Sequence, residues 1–318
     1  MGREPRYVPP NSLQHVTDVT FQNRPLLRPS KEVNERILGI IGRAQRRYQM
    51  PICGLVVAST HWHFLLRPKD GLHLSSFMCF VKTNVSKEIG QNLLGWKGTI
   101  FDGRYHSTTV SNEAEDQVAV LRYILAHGPK ELLVDTVAEW PGAHSAVSTI
   151  QGKDLVGKWF DRTSAYSSRP RRVEPTDIEA FATEERVVIS PLPCWQGMSE
   201  AQWRRAVADL VEDIDREAAV IRRDQKKSSL GVTRILAVNP KSRPDQVEKS
   251  PKPRFHARDP AVYRAMLEIW REMVRSFREA SEQLRSGVRN VVFPEGTFPP
   301  GQPFVPFSIE TVWEPGRS

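Results

Sequence analysis

The run His61, Trp62, His63 is the first place where residue type and spacing together suggest chemistry. In an extended strand, residues two apart point to the same face, with their side chains roughly 6.5 Å apart. Both imidazoles then reach one divalent cation, while Trp62 and Phe64 enter the packed face opposite. Taken alone, the pattern is more often two polar residues on a solvated sheet face. A second candidate is the run Leu121, Arg122, Tyr123, Ile124, Leu125, Ala126, His127, Gly128, Pro129. At a helical advance of about 100° per residue, Val118, Leu121 and Leu125 form one apolar stripe, and Tyr123 and His127 share a stripe nearly opposite. A phenol set off the buried stripe is either a reactive hydroxyl or an amphipathic residue at a packing edge.

The elements that must position these residues follow from hydrophobic periodicity. Residues 15–21 read as a strand, and Ser30 caps a helix whose apolar positions are Val33, Ile37, Leu38, Ile41, Ala44 and Tyr48. Residues 52–58 and 61–66 read as two strands joined by a tight turn at Ser59 and Thr60. A helix over 74–93, a turn around Gly95 and Gly98, a strand over 105–110 and a helix over 113–127 complete the pattern. Asn112 with Glu115 makes a capping box for the last helix, and Gly128 with Pro129 terminates it. The order βαββαβα predicts a ferredoxin-like α+β fold, an antiparallel sheet with helices on one face.

A length of 318 residues predicts two domains. We place the boundary near residue 150, with a catalytic domain over 1–150 and a basic, mainly helical extension over 151–318 that has a Pro-rich tail. Helical periodicity recurs over 198–223 and 261–285, so these helices are expected to pack together or on the first domain. A stretch rich in Ser, Arg and Pro over 166–175 reads as a linker, and the tail over 293–307, with five prolines and four phenylalanines, as a strap on an apolar surface. The net charge of +8 favours an anionic partner. It is concentrated over 222–258, where eleven Lys or Arg stand against three Asp or Glu. That segment is either a salt-dependent DNA contact or a solvated linker. A hydrophobic content of 39% with 26% charged residues excludes a membrane protein and wholesale disorder. The first six residues carry no apolar secretory segment, and the three scattered cysteines suggest neither disulfides nor a CxxC site, so a reducing, cytoplasmic location is expected.

Taken in order, several stretches resemble one family, the single-tyrosine HUH transposases, and particularly the REP-associated tyrosine transposases. The likeness spans about residues 14–146. It is carried by His15, Val16 and Thr17; by His61, Trp62, His63, Phe64, Leu65 and Leu66; by residues 98–105; by Arg122, Tyr123 and Ile124; and by Glu139, Trp140 and Pro141 with Ser145. The resemblance implies an HUH endonuclease-type fold in which His61 and His63 hold a divalent metal and Tyr123 is the nucleophile. Where the family typically has Met, Pro, Asn before its first histidine, this chain has Ala58, Ser59, Thr60. Four residues after the tyrosine, where the family often supplies Asn or Gln as a third ligand, stands His127. A third imidazole would favour Mn over Mg.

The chemistry so implied is transesterification on single-stranded or hairpin DNA. Attack by the phenol leaves a 5′-phosphotyrosine and a free 3′-hydroxyl, and rejoining needs no ATP. Lys82, Arg104 and Arg122 are candidate phosphate contacts, although each also reads as a solvated surface charge. His106 is a further polar strand residue nearby in sequence. A homodimer with a shared site is compatible with the pattern. The rival reading is a host-retained DNA-binding relative that has lost cleavage, against which the intact His61, His63 and Tyr123 argue.

Overall fold

The computed structural model describes residues 4–167, 177–244, 253–288 and 290–300. In chain order they form β1 (Gln14–Val19), α1 (Lys31–Tyr48), β2 (Ile52–Val57), β3 (His61–Leu66), α2 (Gly71–Val85), β4 (His106–Val110), α3 (Ala114–Leu125), α4 (His127–Lys130) and α5 (Ser145–Gln151). Beyond these lie β5 (Leu155–Phe160), α6 (Arg162–Ser167), β6 (Ala182–Val187), α7 (Glu200–Gln225), α8 (Val232–Ala237), β7 (Phe255–His256) and α9 (Pro260–Arg285). The fold is α+β with a mainly helical carboxy-terminal part, as the sequence pattern predicts. Most of the predicted linker over 166–175, part of the basic segment and the end of the Pro-rich tail lie outside the described residues.

Local chemistry accounts for the boundaries. Ser30 accepts a hydrogen bond from the Val33 amide and starts α1, which ends where Gln49 turns left-handed at φ 53°. Asp70 caps α2 through the amide of His73. The capping box expected at α3 does not form: the N-cap is Glu113, whose amide donates to Ser111 Oγ, and Ser111 donates in turn to Asp116 at 2.6 Å. Nor do Gly128 and Pro129 end the helical path. α3 stops at Leu125, and His127 opens a further turn in whose first positions a proline costs no hydrogen bond.

One sheet organises the molecule, in the order β2-β3-β1-β4-β7. The first four strands are antiparallel, with His63 opposite Thr17 and Val56. The fifth, from the extension, runs parallel to β4, so the sheet is mixed and not wholly antiparallel. Helices cover both faces and not one. On the first face Val16, Leu55, Trp62, Phe64 and Leu66 pack with Ile37 and Ile41 of α1 and Phe77 and Val81 of α2. On the second, Val56 and Leu65 pack with Leu121, Ile124 and Leu125 of α3 and with Trp203, Val207 and Ile214 of α7.

The chain beyond residue 150 is tied to the sheet layers at several points. The β5–β6 pair lies on α1 with the backbones in contact: a Cβ on Gly157 would fall 2.2 Å from the Gly39 amide nitrogen. α7 docks on α3, α4 and α5, whereas α9 meets β7. In the tail, Phe298 packs on the apolar cluster of the first face. Cys53, Cys79 and Cys194 are all free thiols. No described helix is long and apolar enough to cross a membrane.

Candidate active site

Alternation along β3 sends His61 and His63 to the second face, with Trp62 and Phe64 buried on the first. On the neighbouring strand His15 shares the face of His63, because β1 pairs antiparallel with β3 and Thr17 stands opposite His63. α3 crosses this face and delivers Tyr123, and the turn that follows it delivers His127. The rings of His61 and His127 lie 4.6 Å apart, those of His61 and His63 5.1 Å, and those of His63 and His127 5.3 Å. One ring nitrogen from each of the three falls within 4.8 Å of the other two. His63 and His127 are each 6% exposed and His61 is half-buried, so the cluster opens on one side.

Two hydrogen bonds orient the β3 imidazoles. Nδ1 of His61 lies 2.9 Å from Thr60 Oγ1, and Nδ1 of His63 lies 2.9 Å from Nε2 of His15. Both leave Nε2 as the atom a cation would take, the arrangement by which outer partners fix a histidine ligand. His127 has its pKa lowered to about 3, first by burial and then by repulsion from His61, His144 and Lys130. It is therefore neutral near pH 7, with a lone pair for coordination. Behind it, His144 accepts from the Ala146 amide at 3.0 Å and donates to the Leu125 carbonyl at 3.2 Å, bracing the end of α3. Three imidazoles without a carboxylate fit a borderline divalent cation such as Co, Ni or Zn, and suit Mn better than Mg.

Tyr123 is 42% exposed and rests edge-on against His63 at 5.6 Å and against His15 at 5.9 Å. Lys130 Nζ lies 4.5 Å over its ring. Partial burial, followed by the nearby Glu131, raises the phenol pKa, so the hydroxyl is protonated at neutral pH. Tyr123, His15, His61 and His63 line a cavity of about 660 Å³, together with His106, Asp116, His256 and Arg258.

The structure thus brings His61, His63, His127 and Tyr123 together. The expected phosphate contacts are dispersed. Lys82 lies across the sheet, paired with Asp18 at 2.5 Å. Arg122 pairs with Glu217 of α7 at 2.6 Å, and Arg104 is exposed in the loop before β4. His106 stands opposite Thr17 and faces the cavity. Sequence reasoning missed His144, His256 and the contact of His15 with His63. His15 had a signal, since it alternates with Val16 on a strand whose partner carries the HxH pair; His256 had none.

Residues 13–127 match the family model described as "Transposase IS200 like". Over these residues the chain is similar to the IS200-like transposases. The match covers the sheet strands β1 to β4, both β3 histidines, Tyr123 and, as its last residue, His127. It supports a transposase that acts on DNA. Among solved structures, a REP-associated tyrosine transposase bound to a REP hairpin is similar at 21% identity and TM-score 0.38, over 45% of this chain and 81% of that one. A putative transposase from Deinococcus radiodurans R1 is similar at 18% identity and TM-score 0.28, over 38% of this chain and 94% of that one. Comparison with curated proteins finds no match.

Proposed function

We propose that the protein cleaves and rejoins single-stranded or hairpin DNA through a covalent 5′-phosphotyrosine at Tyr123, with a divalent cation held by His61, His63 and His127. The observation that supports this reading is the contact of the Tyr123 ring with His63, in a cavity that His61 also lines. A bound cation would polarise a non-bridging phosphate oxygen and stabilise the charge that builds up during transfer. Tyr123 Oη attacks phosphorus and loses its proton. The bond from phosphorus to the 3′-oxygen breaks, and that oxygen leaves with a proton as a 3′-hydroxyl. The reverse attack by a 3′-hydroxyl restores the phenol and rejoins the strand.

The raised phenol pKa explains the need for help: an uncharged phenol is a weak nucleophile until its proton is accepted and the phosphate charge is withdrawn. The three-nitrogen donor set supports Mn over Mg. Because tyrosine and histidines of one chain share the cavity, cleavage is assigned to a single chain. Residues 1–150 are proposed as the catalytic domain and 151–318 as the extension that supports it.

The test is a cleavage assay on hairpin single-stranded DNA with Mn or Mg, using wild type and Tyr123→Phe. Wild type is expected to give a metal-dependent, denaturant-resistant protein–DNA adduct, and Tyr123→Phe none. A wild type that binds the DNA and forms no adduct would instead support a relative that has lost cleavage.

A further inference from the structure

The two-residue strand β7 carries His256 against His15, next to the ligand cluster, and several contacts hold it there. Phe255 and His256 pair with Thr109 and Val110 of β4, and the Ser111 amide donates to the His256 carbonyl at 2.9 Å. Arg258 then fastens the segment to the nucleophile helix, its amide and Nε reaching Asp116 Oδ1 at 3.1 and 3.3 Å. Between these anchors, His256 Nε2 lies 2.9 Å from His15 Nδ1, and His15 Nε2 lies 2.9 Å from His63 Nδ1.

A neutral imidazole has one N–H and one lone-pair nitrogen, so a chain of three hydrogen-bonded imidazoles has only two senses. In one sense His63 donates from Nδ1 to His15, and His15 donates from Nδ1 to His256. His63 Nε2 then has its lone pair available beside His61 and His127. In the other sense every bond is reversed, the His63 proton sits on Nε2, and that atom cannot coordinate. Coordination by His63 Nε2 therefore requires the first sense, in which His256 Nε2 accepts from His15 Nδ1. We propose that His256 is a positioning residue for the cation ligand His63, acting through His15, so that the extension helps to set the ligand's tautomer. The inference rests on the proposed role of His63 as a ligand. It assigns to the segment 253–258 a part in the site in addition to any phosphate contact.

The test uses the full chain as wild type, His256→Ala and His256→Gln, whose carboxamide oxygen can stand where Nε2 does. Two quantities are read: Mn affinity by calorimetry, and the His63 tautomer by long-range ¹H–¹⁵N spectra of the metal-free protein. Loss of an outer partner of a ligand typically costs about 10–100-fold in metal affinity. For a partner one bond further out we expect about 10-fold for His256→Ala, with loss of the single Nδ1–H tautomer at His63 and recovery of both readings in His256→Gln. A His256→Ala protein that is folded by its melting curve, binds Mn within about twofold of wild type and keeps the tautomer would overturn the proposal. Equal weakening in both variants would overturn it too, since it would indicate simple loss of packing. Adduct formation is followed in parallel. A wild type that binds Mn, shows the His256 effect and forms no DNA adduct would contradict the proposed function while supporting the positioning role.

Discussion

The two faces of the central sheet are made by the same strands and do opposite things. On β3, the side chains of Trp62, Phe64 and Leu66 enter a closed apolar layer with α1 and α2. His61 and His63, one residue out of step, face a cavity shared with Tyr123 and cluster with His127. The closed face stabilises the strand by burial, and a strand held from behind can present imidazoles in fixed directions in front. A one-residue slip of register would exchange the two sets. What the alternation teaches is that the geometry of the histidine cluster is a consequence of core packing on the far side of the sheet.

Substitutions on the two faces should therefore fail in different ways. The largest effect is expected from His63→Ala, which removes a ligand and the contact for Tyr123: Mn affinity should fall at least about 100-fold and adduct formation to background, with little change in the unfolding midpoint. Trp62→Ala, its neighbour, should do the reverse. Emptying a fully buried site for an aromatic residue costs about 3–5 kcal/mol by denaturant unfolding, while the molecules that remain folded should bind Mn as wild type does. Next, Lys82→Ala breaks a pair whose carboxylate, Asp18, is 4% exposed. A stability loss of about 2–3 kcal/mol is expected, and an unchanged salt slope of DNA binding would separate that role from a phosphate contact. His127→Asn tests the third ligand: Mn affinity should drop about 10-fold and the preference for Mn over Mg should narrow. The smallest effect belongs to Arg122→Ala, whose pair with the exposed Glu217 is worth at most about 1 kcal/mol.

Much of this contrast is legible in the sequence because it is local. The alternation of β3, the Ser30 cap and the turn at Ser59 and Thr60 all lie within a few residues of the features they determine. Tyr123 and His127, expected on one helix, each lie beside His63 but belong to two consecutive helical segments. The capping box expected at Asn112 and Glu115 does not form because Ser111, one residue before Asn112, reaches Asp116 and takes over the capping role. Lys82 defeats sequence reasoning for another reason: a helix pattern says which residues are polar and not which side of a sheet the helix covers. β7 is the hardest case. Two residues are too few for any periodicity, and their surroundings are rich in proline and lysine, so composition suggests a linker where the chain forms a strand. The contact of His256 with His15 joins positions 241 apart in the chain, and only the folded sheet reveals it.

The central claim is that Tyr123 becomes covalently joined to DNA beside three histidines. It is tested most directly by trapping the adduct with Mn and hairpin DNA, digesting the DNA to a nucleotide remnant and the protein with trypsin, and weighing the peptides. Cleavage after Arg122 and Lys130 gives a peptide that begins at Tyr123. The account predicts that this peptide, and no other, carries the nucleotide mass in wild type, and that none does in His63→Ala. A remnant on a different residue, or an adduct that forms without the divalent cation, would contradict it.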